Sequence, residues 1–335
     1  MKKTTRKLVS AALCLAMGLS LAGCGGTQNK SEAQTADTAT ATPATATATP
    51  ASAATPEQTG ETRTVSTVMG DVEVPADPQR VVVNWYVGEA LSAGLSIVGY
   101  SGWAQESMPF YDEMQAMTEI QNWEPEDVMA LEPDLIITYS VDDFAKFSKV
   151  APVLVFEESM SEIDRTRAIG EATGHEAKAE ENIAAFEAKL ETAKEALNTD
   201  AFNGKSFSIN QDWGSASYGV YYETGSRGGE LLYNYLGLQK PAALEELIAE
   251  SGEGRGGLSY EVADKYFGDY IIWFLPEGNK SEYAQTEIWK SIPAVAQGHV
   301  LEIPYEQMGL FYYGDILSMS AQLDYIMDGL NALAA

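Results

Sequence analysis

The sequence predicts an α/β protein of two lobes, and two observations carry that reading. First, apolar β-branched runs such as "RVVVN", "LIIT" and "YIIWF" alternate with helix-length segments; continuous runs of this kind belong to strands buried on both faces of a parallel sheet. Second, one segment is written twice. "EDVMALEPDLIITY" (126–139) and "EVADKYFGDYIIWF" (261–274) each place an Asp eight positions after a Glu and follow it with Ile-Ile. Glu126 and Glu261 therefore stand 135 residues apart, as do Asp134 and Asp269.

The elements follow in order. "TRTVSTVMGDVEVP" alternates around a Met-Gly-Asp turn and predicts a small hairpin. Then come a strand at "RVVVNWY", a short helix ending near Gly94, a strand at "SIVGYSGW", a helix at "EPEDVMALEP", a strand at "DLIITYS", a helix at "DDFAKFSKVA" and a strand at "PVLVFEE". "SEIDRTRAIGEATG" reads as a helix closed by Gly174. From His175 to Asn198 the chain lacks Gly and Pro, and Ile183, Phe186, Leu190 and Ala193 fall on one helical stripe. About 22 helical residues make a rod of about 33 Å. Beyond it the alternation resumes through "KSFSINQDW", "SYGVYYETG", "GGELLYNYLGL", "SYEVADKYF", "DYIIWFL", "TEIWKSIPAV" and "HVLEIP" to a closing helix. The expected lobes are thus 62–174 and 199–335, joined by a single stiff helix, 175–198, with no large closure.

The N-terminus predicts export. "MKKTTRK" is cationic, and "LVSAALCLAMGLSLAG" has the length of a signal-peptide core and falls short of the roughly 20 apolar residues of a membrane span. It ends in Leu-Ala-Gly-Cys, which resembles the bacterial lipobox. That resemblance implies removal of 1–23 and acylation of Cys24, a palmitate-type membrane anchor. Residues 24–61, nearly all Ala, Thr, Pro, Ser and Gln, cannot bury enough apolar surface to order and predict a flexible tether. The long tether favours the outer face of a Gram-positive cell membrane.

Charge and composition exclude several functions. Lys and Arg number 21 against 49 Asp and Glu, a formal charge of −28, so there is no basic face for nucleic acid. Removal of the leader would leave Cys24 as the single cysteine, with no disulfide and no thiolate nucleophile. Two histidines, His175 and His299, make neither a His-rich metal site nor a Ser-His-Asp arrangement, and no Gly-x-Ser-x-Gly elbow occurs. The reading is no enzyme, no metal site and no cofactor. Tyr221–Tyr222 and Tyr312–Tyr313 could offer phenolates to bare iron, but adjacent strand residues point to opposite faces.

Ligands of two-lobed α/β proteins lie beyond the carboxyl ends of the strands. There the sequence offers Trp85, Tyr86, Trp103 and Tyr139 in the first lobe, and Trp213, Arg227, Arg255, Phe311, Tyr312 and Tyr313 in the second. Some strand-end aromatics are expected to be plain core. "GEGRGG" around Arg255 is expected to be a flexible rim loop. Together these residues predict a shallow aromatic cup with one or two guanidiniums.

In their order, "GDVEVPADPQRVVV", "ALEPDLII", the Ala/Glu-rich connector, "EIWKSIPAVAQGHVLEIP" and "FYYGDILSMSAQLDYI" resemble the siderophore-binding lipoproteins of iron ABC importers, most nearly the ferric hydroxamate (ferrichrome-type) group. The resemblance spans the chain after the tether. It implies a class III periplasmic-binding-protein-like fold with two Rossmann-like lobes, a monomer that hands a ferric siderophore to an ABC permease dimer. It also implies that Glu126 and Glu261, with Glu124 a neighbour, dock on permease arginines. Otherwise each would be a helix N-terminal acid, worth under about 1 kcal/mol. A hydroxamate chelate, apolar outside and of low charge, suits rings and few cations. A catecholate of about three negative charges would call for several. Cobalamin and haem remain open within the fold, and an exported enzyme outside it.

Overall fold

The computed structural model describes residues 60–334; the leader 1–23, Cys24 and the tether up to residue 59 lie outside them. The chain enters through an antiparallel hairpin, β1 (Thr62–Thr67) and β2 (Gly70–Pro75), whose turn needs the left-handed φ of +99° at Gly70.

The first lobe is built on β3 (Val81–Asn84), β4 (Ile97–Ser101), β5 (Thr118–Glu119), β6 (Leu135–Thr138) and β7 (Val153–Val155). The five strands run parallel in the order β5-β4-β3-β6-β7. Helices α1 (Val87–Ser92), α2 (Tyr111–Ala116), α3 (Pro125–Met129) and α4 (Val141–Phe147) lie between them in the chain. Period-two side chains divide the valines: Val81 and Val83 enter one core with Leu135 and Ile137, while Val82 enters another with Ile136 and Val153.

Ser161 caps α5 (Glu162–Thr173) by accepting the Asp164 N–H, and Gly174, at φ +79°, turns the chain into α6 (Glu176–Leu197). The stripe on α6 is buried, but its two ends differ. Ala179 joins the first lobe's core, whereas Ile183, Phe186, Leu190, Ala193 and Leu197 join the second lobe's.

The second lobe holds β8 (Phe207–Asp212), β9 (Val220–Glu223), β10 (Arg255–Leu258), β11 (Tyr270–Phe274) and β12 (Val300–Ile303), in the order β10-β9-β8-β11-β12. Relative to the chain this is the strand order of the first sheet. One strand differs: β9 is antiparallel to both neighbours. Helices α7 (Ala242–Ser251), α8 (Glu287–Ser291), α9 (Pro293–Ala296) and α10 (Ile316–Leu333) complete it, with a π-helical turn at Glu230–Tyr235 and a 3₁₀ turn at Tyr305–Phe311.

The doubled segment has a structural cause. In the first lobe the Asp134 carboxylate accepts the N–H groups of Gln79 and Arg80 at 2.7 and 2.9 Å, ahead of central strand β3. In the second, Asp269 accepts the N–H and hydroxyl of Ser206, both at 2.9 Å, ahead of central strand β8. Each Asp latches the unpaired start of the central strand to its neighbour, satisfying donors the ladder leaves over. The glutamates diverge. Glu126 lies in the first turn of α3, but no α-helix forms at the second copy, where Glu261 sits in a turn ahead of a 3₁₀ helix, Ala263–Tyr266. The expectation of a helix there is corrected. The second copy has Gly268 where the first has Pro133, and a Cβ there would lie 2.5 Å from the Ser206 carbonyl oxygen. Both glutamates are exposed.

The lobes meet at the back through charged and close-packed groups. A Cβ on Gly88 of α1 would lie 2.0 Å from the Asp315 carboxyl carbon, the N-cap of α10. Tyr235 donates to Glu162 across the lobes at 2.9 Å, and within the first lobe buried Glu89, next to Gly88, pairs with buried Arg165 at 2.8 Å.

Candidate functional site

The strand order in each sheet reverses direction about its first strand, which places a crevice at the carboxyl ends of β3/β6 and of β8/β11. In the first lobe those ends carry Trp85 and Tyr139. Tyr86 donates back to the Asn84 carbonyl at 2.9 Å, a three-residue turn that holds Trp85 at φ +72°. A bulky residue held there costs on the order of 1–3 kcal/mol. The turn throws the indole outward, so Trp85 is exposed while Tyr86 beside it is buried.

Beneath these rings lies a buried polar support. Asp143 Oδ2 accepts the Asn84 amide at 3.1 Å and the Thr138 hydroxyl at 2.5 Å. Asn84 and Thr138 immediately precede Trp85 and Tyr139, so one carboxylate fixes both strand ends. The second lobe has an analogous support. Asp212 accepts from Tyr260 (2.6 Å), Ser281 (2.7 Å), and the N–H groups of Tyr283 (3.0 Å) and Gly214 (2.9 Å), immediately before exposed Trp213.

The aromatic surface is shared between the lobes. Tyr312, from the chain leading into α10, lies 4.2 Å from the Trp103 ring and 5.7 Å from that of Trp85. Its neighbour Tyr313 is buried in the first lobe's core, where its hydroxyl accepts the Trp103 N–H at 2.9 Å and donates to the Trp103 carbonyl at 3.0 Å. Tyr313 thus sets the Trp103 loop and stands behind the surface. Tyr86 and Phe311 are also corrected from facing groups to core. Tyr86 donates to the Phe156 carbonyl and lies under the Arg165 guanidinium, and Phe311 packs edge-on against Phe274.

In the second lobe Trp213, Tyr218 and Tyr221 form a second aromatic group, with centroids 5.7–6.4 Å apart. Reading the sequence missed Tyr218 and Tyr221 here; the alternation in "YGVYY" signals it, since Tyr221 and Tyr222 lie on opposite faces of β9 and Tyr222 enters the core. Among the described residues no ring pair joins this trio to the Trp85–Trp103–Tyr312 group. Arg227, also in the left-handed region at φ +56°, lies with its guanidinium carbon 5.8 Å from the Phe274 ring. Burial holds its guanidinium below the ordinary arginine value; Glu223 opposes that, and Tyr312 and Arg255 are close enough to be felt. Arg255 is exposed and begins β10, so the expected rim loop is a strand. Its glycines are required: a Cβ on Gly257 would meet the Tyr218 carbonyl oxygen at 2.5 Å, and one on Gly256 the Tyr222 ring at 3.2 Å.

Among the described residues, four non-glycine residues have positive φ, and Trp85 and Arg227 are two of them. Each lobe therefore stores strain at one of the residues the sequence nominates for the site. No cluster of His, Cys, Asp and Glu among the described residues could hold a metal ion. Rings from both lobes with a guanidinium behind them can grip an apolar ligand and hydrogen-bond its oxygens, without ligating a metal.

Residues 87–306 match the family of periplasmic binding proteins. The chain belongs to that family. This periplasmic binding protein is 31% identical over 278 residues to the iron(3+)-hydroxamate-binding protein YxeB of Bacillus subtilis (strain 168), covering 81% of this chain and 85% of that one. It is 30% identical to the iron(3+)-hydroxamate-binding protein FhuD of the same organism, over 97% and 98% of the two chains. Among solved structures it resembles a FhuD-fold component of a ferrichrome ABC transporter from Bacillus subtilis, at 29% identity and a TM-score of 0.67, over 79% of this chain and 99% of that one. It also resembles FhuD2 of Staphylococcus aureus with bound ferrioxamine B, at 25% identity and a TM-score of 0.66, over 77% and 100%.

Proposed function

We propose that this periplasmic binding protein captures a ferric siderophore of the hydroxamate type and delivers it to an ABC permease for iron uptake. The observation that carries the reading is the Trp85–Tyr312–Trp103 ring surface, formed by both lobes and backed by Arg227. Rings suit the apolar periphery of such a chelate, and a guanidinium suits its metal-bound oxygens. Two relatives named for iron(3+)-hydroxamate binding support the same ligand class. Trp85, Trp103, Tyr139, Trp213, Arg227, Arg255 and Tyr312 are the proposed contacts, with Tyr86, Phe311 and Tyr313 as their backing. The protein acts as a binding protein and not as an enzyme.

The finer parts of the reading rest on sequence. Cys24, in its lipobox-like setting, is the proposed lipid anchor on the outer face of the membrane. No helix among the described residues is long and apolar enough to cross a membrane. Glu126 and Glu261, exposed and at matching places in the doubled segment, are the proposed contacts of a monomer with a permease dimer. Glu124 is otherwise engaged, paired with Lys146 at 3.2 Å.

Titration decides the ligand. Ferrichrome or ferrioxamine B quenches tryptophan fluorescence at sub-micromolar concentration, and iron salts alone do not. Quenching by haem or cobalamin with none by hydroxamates overturns the assignment. Replacing Glu126 and Glu261 together abolishes uptake and leaves binding intact; a loss of binding instead puts them in the site.

A further inference from the structure

Glu223 is a buried carboxylate that the proposed function does not use. It ends β9, paired across the sheet with Ile209 of β8 on one side and Arg255 of β10 on the other. Directly paired residues send their side chains to the same face, so Arg255 and Glu223 share a face. Phe274 pairs with Gln211, which pairs with Tyr221, and alternation along β9 puts Glu223 on that face as well. The Arg227 guanidinium lies over Phe274 on this side. Ser226 donates to Glu223 Oε2 at 2.5 Å, so the carboxylate also fixes the loop that carries Arg227.

The register sets this carboxylate and Arg255 level with Ile209, below the crevice end of β8, while Arg227 reaches Phe274 nearer that end. Among the described residues neither arginine is in an ion pair within 4.0 Å, so both keep their donors for a ligand. A carboxylate buried with a single hydroxyl donor is unfavourable by itself. The two nearby positive charges offset that cost, and Glu223 in turn cancels one of them.

Resting on the siderophore reading, we propose that Glu223 is the charge selector of the second lobe. It leaves the Arg227–Glu223–Arg255 group with one net positive charge and so favours ferric chelates of low charge over anionic ones. It acts on the ligand through the field at the two arginines and need not touch it.

The test uses one iron-hydroxamate scaffold carrying three charges: ferrioxamine B with its free ammonium, its uncharged N-acetyl derivative, and its anionic N-succinyl derivative. Affinities of the full chain are measured by calorimetry at low and high salt. Glu223→Gln shifts the affinity ratio of the anionic to the cationic form about tenfold toward the anion, an effect that weakens with salt and leaves the uncharged form within about threefold. Arg255→Gln, at an exposed position that does not threaten the fold, shifts the ratio the other way. A ratio unchanged within about twofold in both variants, with the uncharged form still bound, overturns the charge selector alone. Failure of the wild-type protein to bind any of the three overturns the siderophore reading and this inference with it.

Discussion

The two lobes share a strand order but differ in one strand direction, and the site divides along that difference. In the first lobe's five-stranded sheet all strands are parallel, and the ends of β3 and β6 present rings over an internally satisfied support: Asn84, Thr138 and Asp143 under Trp85 and Tyr139. In the second, β9 runs backwards, so its start, Val220, stands level with Asp212 at the crevice and its end, Glu223, lies deeper, level with Ile209. Glu223 ends that strand, the loop after it carries Arg227, and β10, paired with the reversed strand, adds Arg255. The lesson is a division of labour. The parallel lobe supplies rings, and the lobe with the reversed strand adds charge to rings of its own, Tyr312 and Trp213.

The largest effect expected from this division is at the rings. Trp85→Ala lowers affinity for ferrichrome about 100-fold, equivalent to about 2.7 kcal/mol, whereas Trp213→Ala in the second lobe costs about tenfold. Equilibrium dialysis reads both without relying on the tryptophans, and equal losses would erase the distinction between the lobes. The junction behind the crevice comes next. Gly88→Ala forces a methyl into the Asp315 carboxyl and destabilises the protein by about 2 kcal/mol, read by urea unfolding.

Protons at the same junction act more weakly. Burial pushes the Glu89 carboxyl up to about 7, with Arg165 opposing and Asp315 reinforcing; burial likewise raises Asp315 and Glu162. For a raised carboxyl the native state holds the proton more tightly than the unfolded chain. Stability is then complete below the ordinary carboxylate range and declines as pH rises toward and through about 7. The midpoint of thermal unfolding should fall by a few degrees between mildly acidic and mildly alkaline buffer, by on the order of 1–2 kcal/mol. Glu89→Gln should flatten that slope. The smallest effect is at the supports. Asp143→Asn leaves the fold in place but loosens Trp85 and Tyr139, lowering affinity about fivefold. Thr138→Val, which removes one of the two donors, should lower it less.

Much of this was legible in the sequence, for physical reasons. Runs such as Val81–Val83 and Ile271–Ile272 can be buried on two faces only in a covered sheet, so both lobes and the α6 stripe could be read directly. The rings were harder. Trp85 faces out and Tyr86 in, and Tyr312 is more open than Phe311 and Tyr313 on either side. Adjacent aromatics alternate in direction, and composition alone cannot say which one faces the crevice. The positive φ at Trp85 and Arg227 has no local sequence signal, because neither is glycine. β10 escaped because "RGGL" has no strand propensity of its own; it is a strand through pairing with β9 and through glycines that let Tyr218 and Tyr222 approach.

The unequal seating of α6 has a mechanical consequence. Five of its buried residues are sunk in the second lobe and one, Ala179, in the first, to which Arg63, Arg167 and Asn182 also tie its N-terminal half. Any rocking then has its elbow at Gly174, where an added Cβ would strike the Ala76 carbonyl oxygen at 2.5 Å. Opening at the front would compress that elbow or slide the Asp315 cap across Gly88. A single connector seated this way favours small swings of one half about a knuckle over the jaw-like gape of a multi-strand hinge.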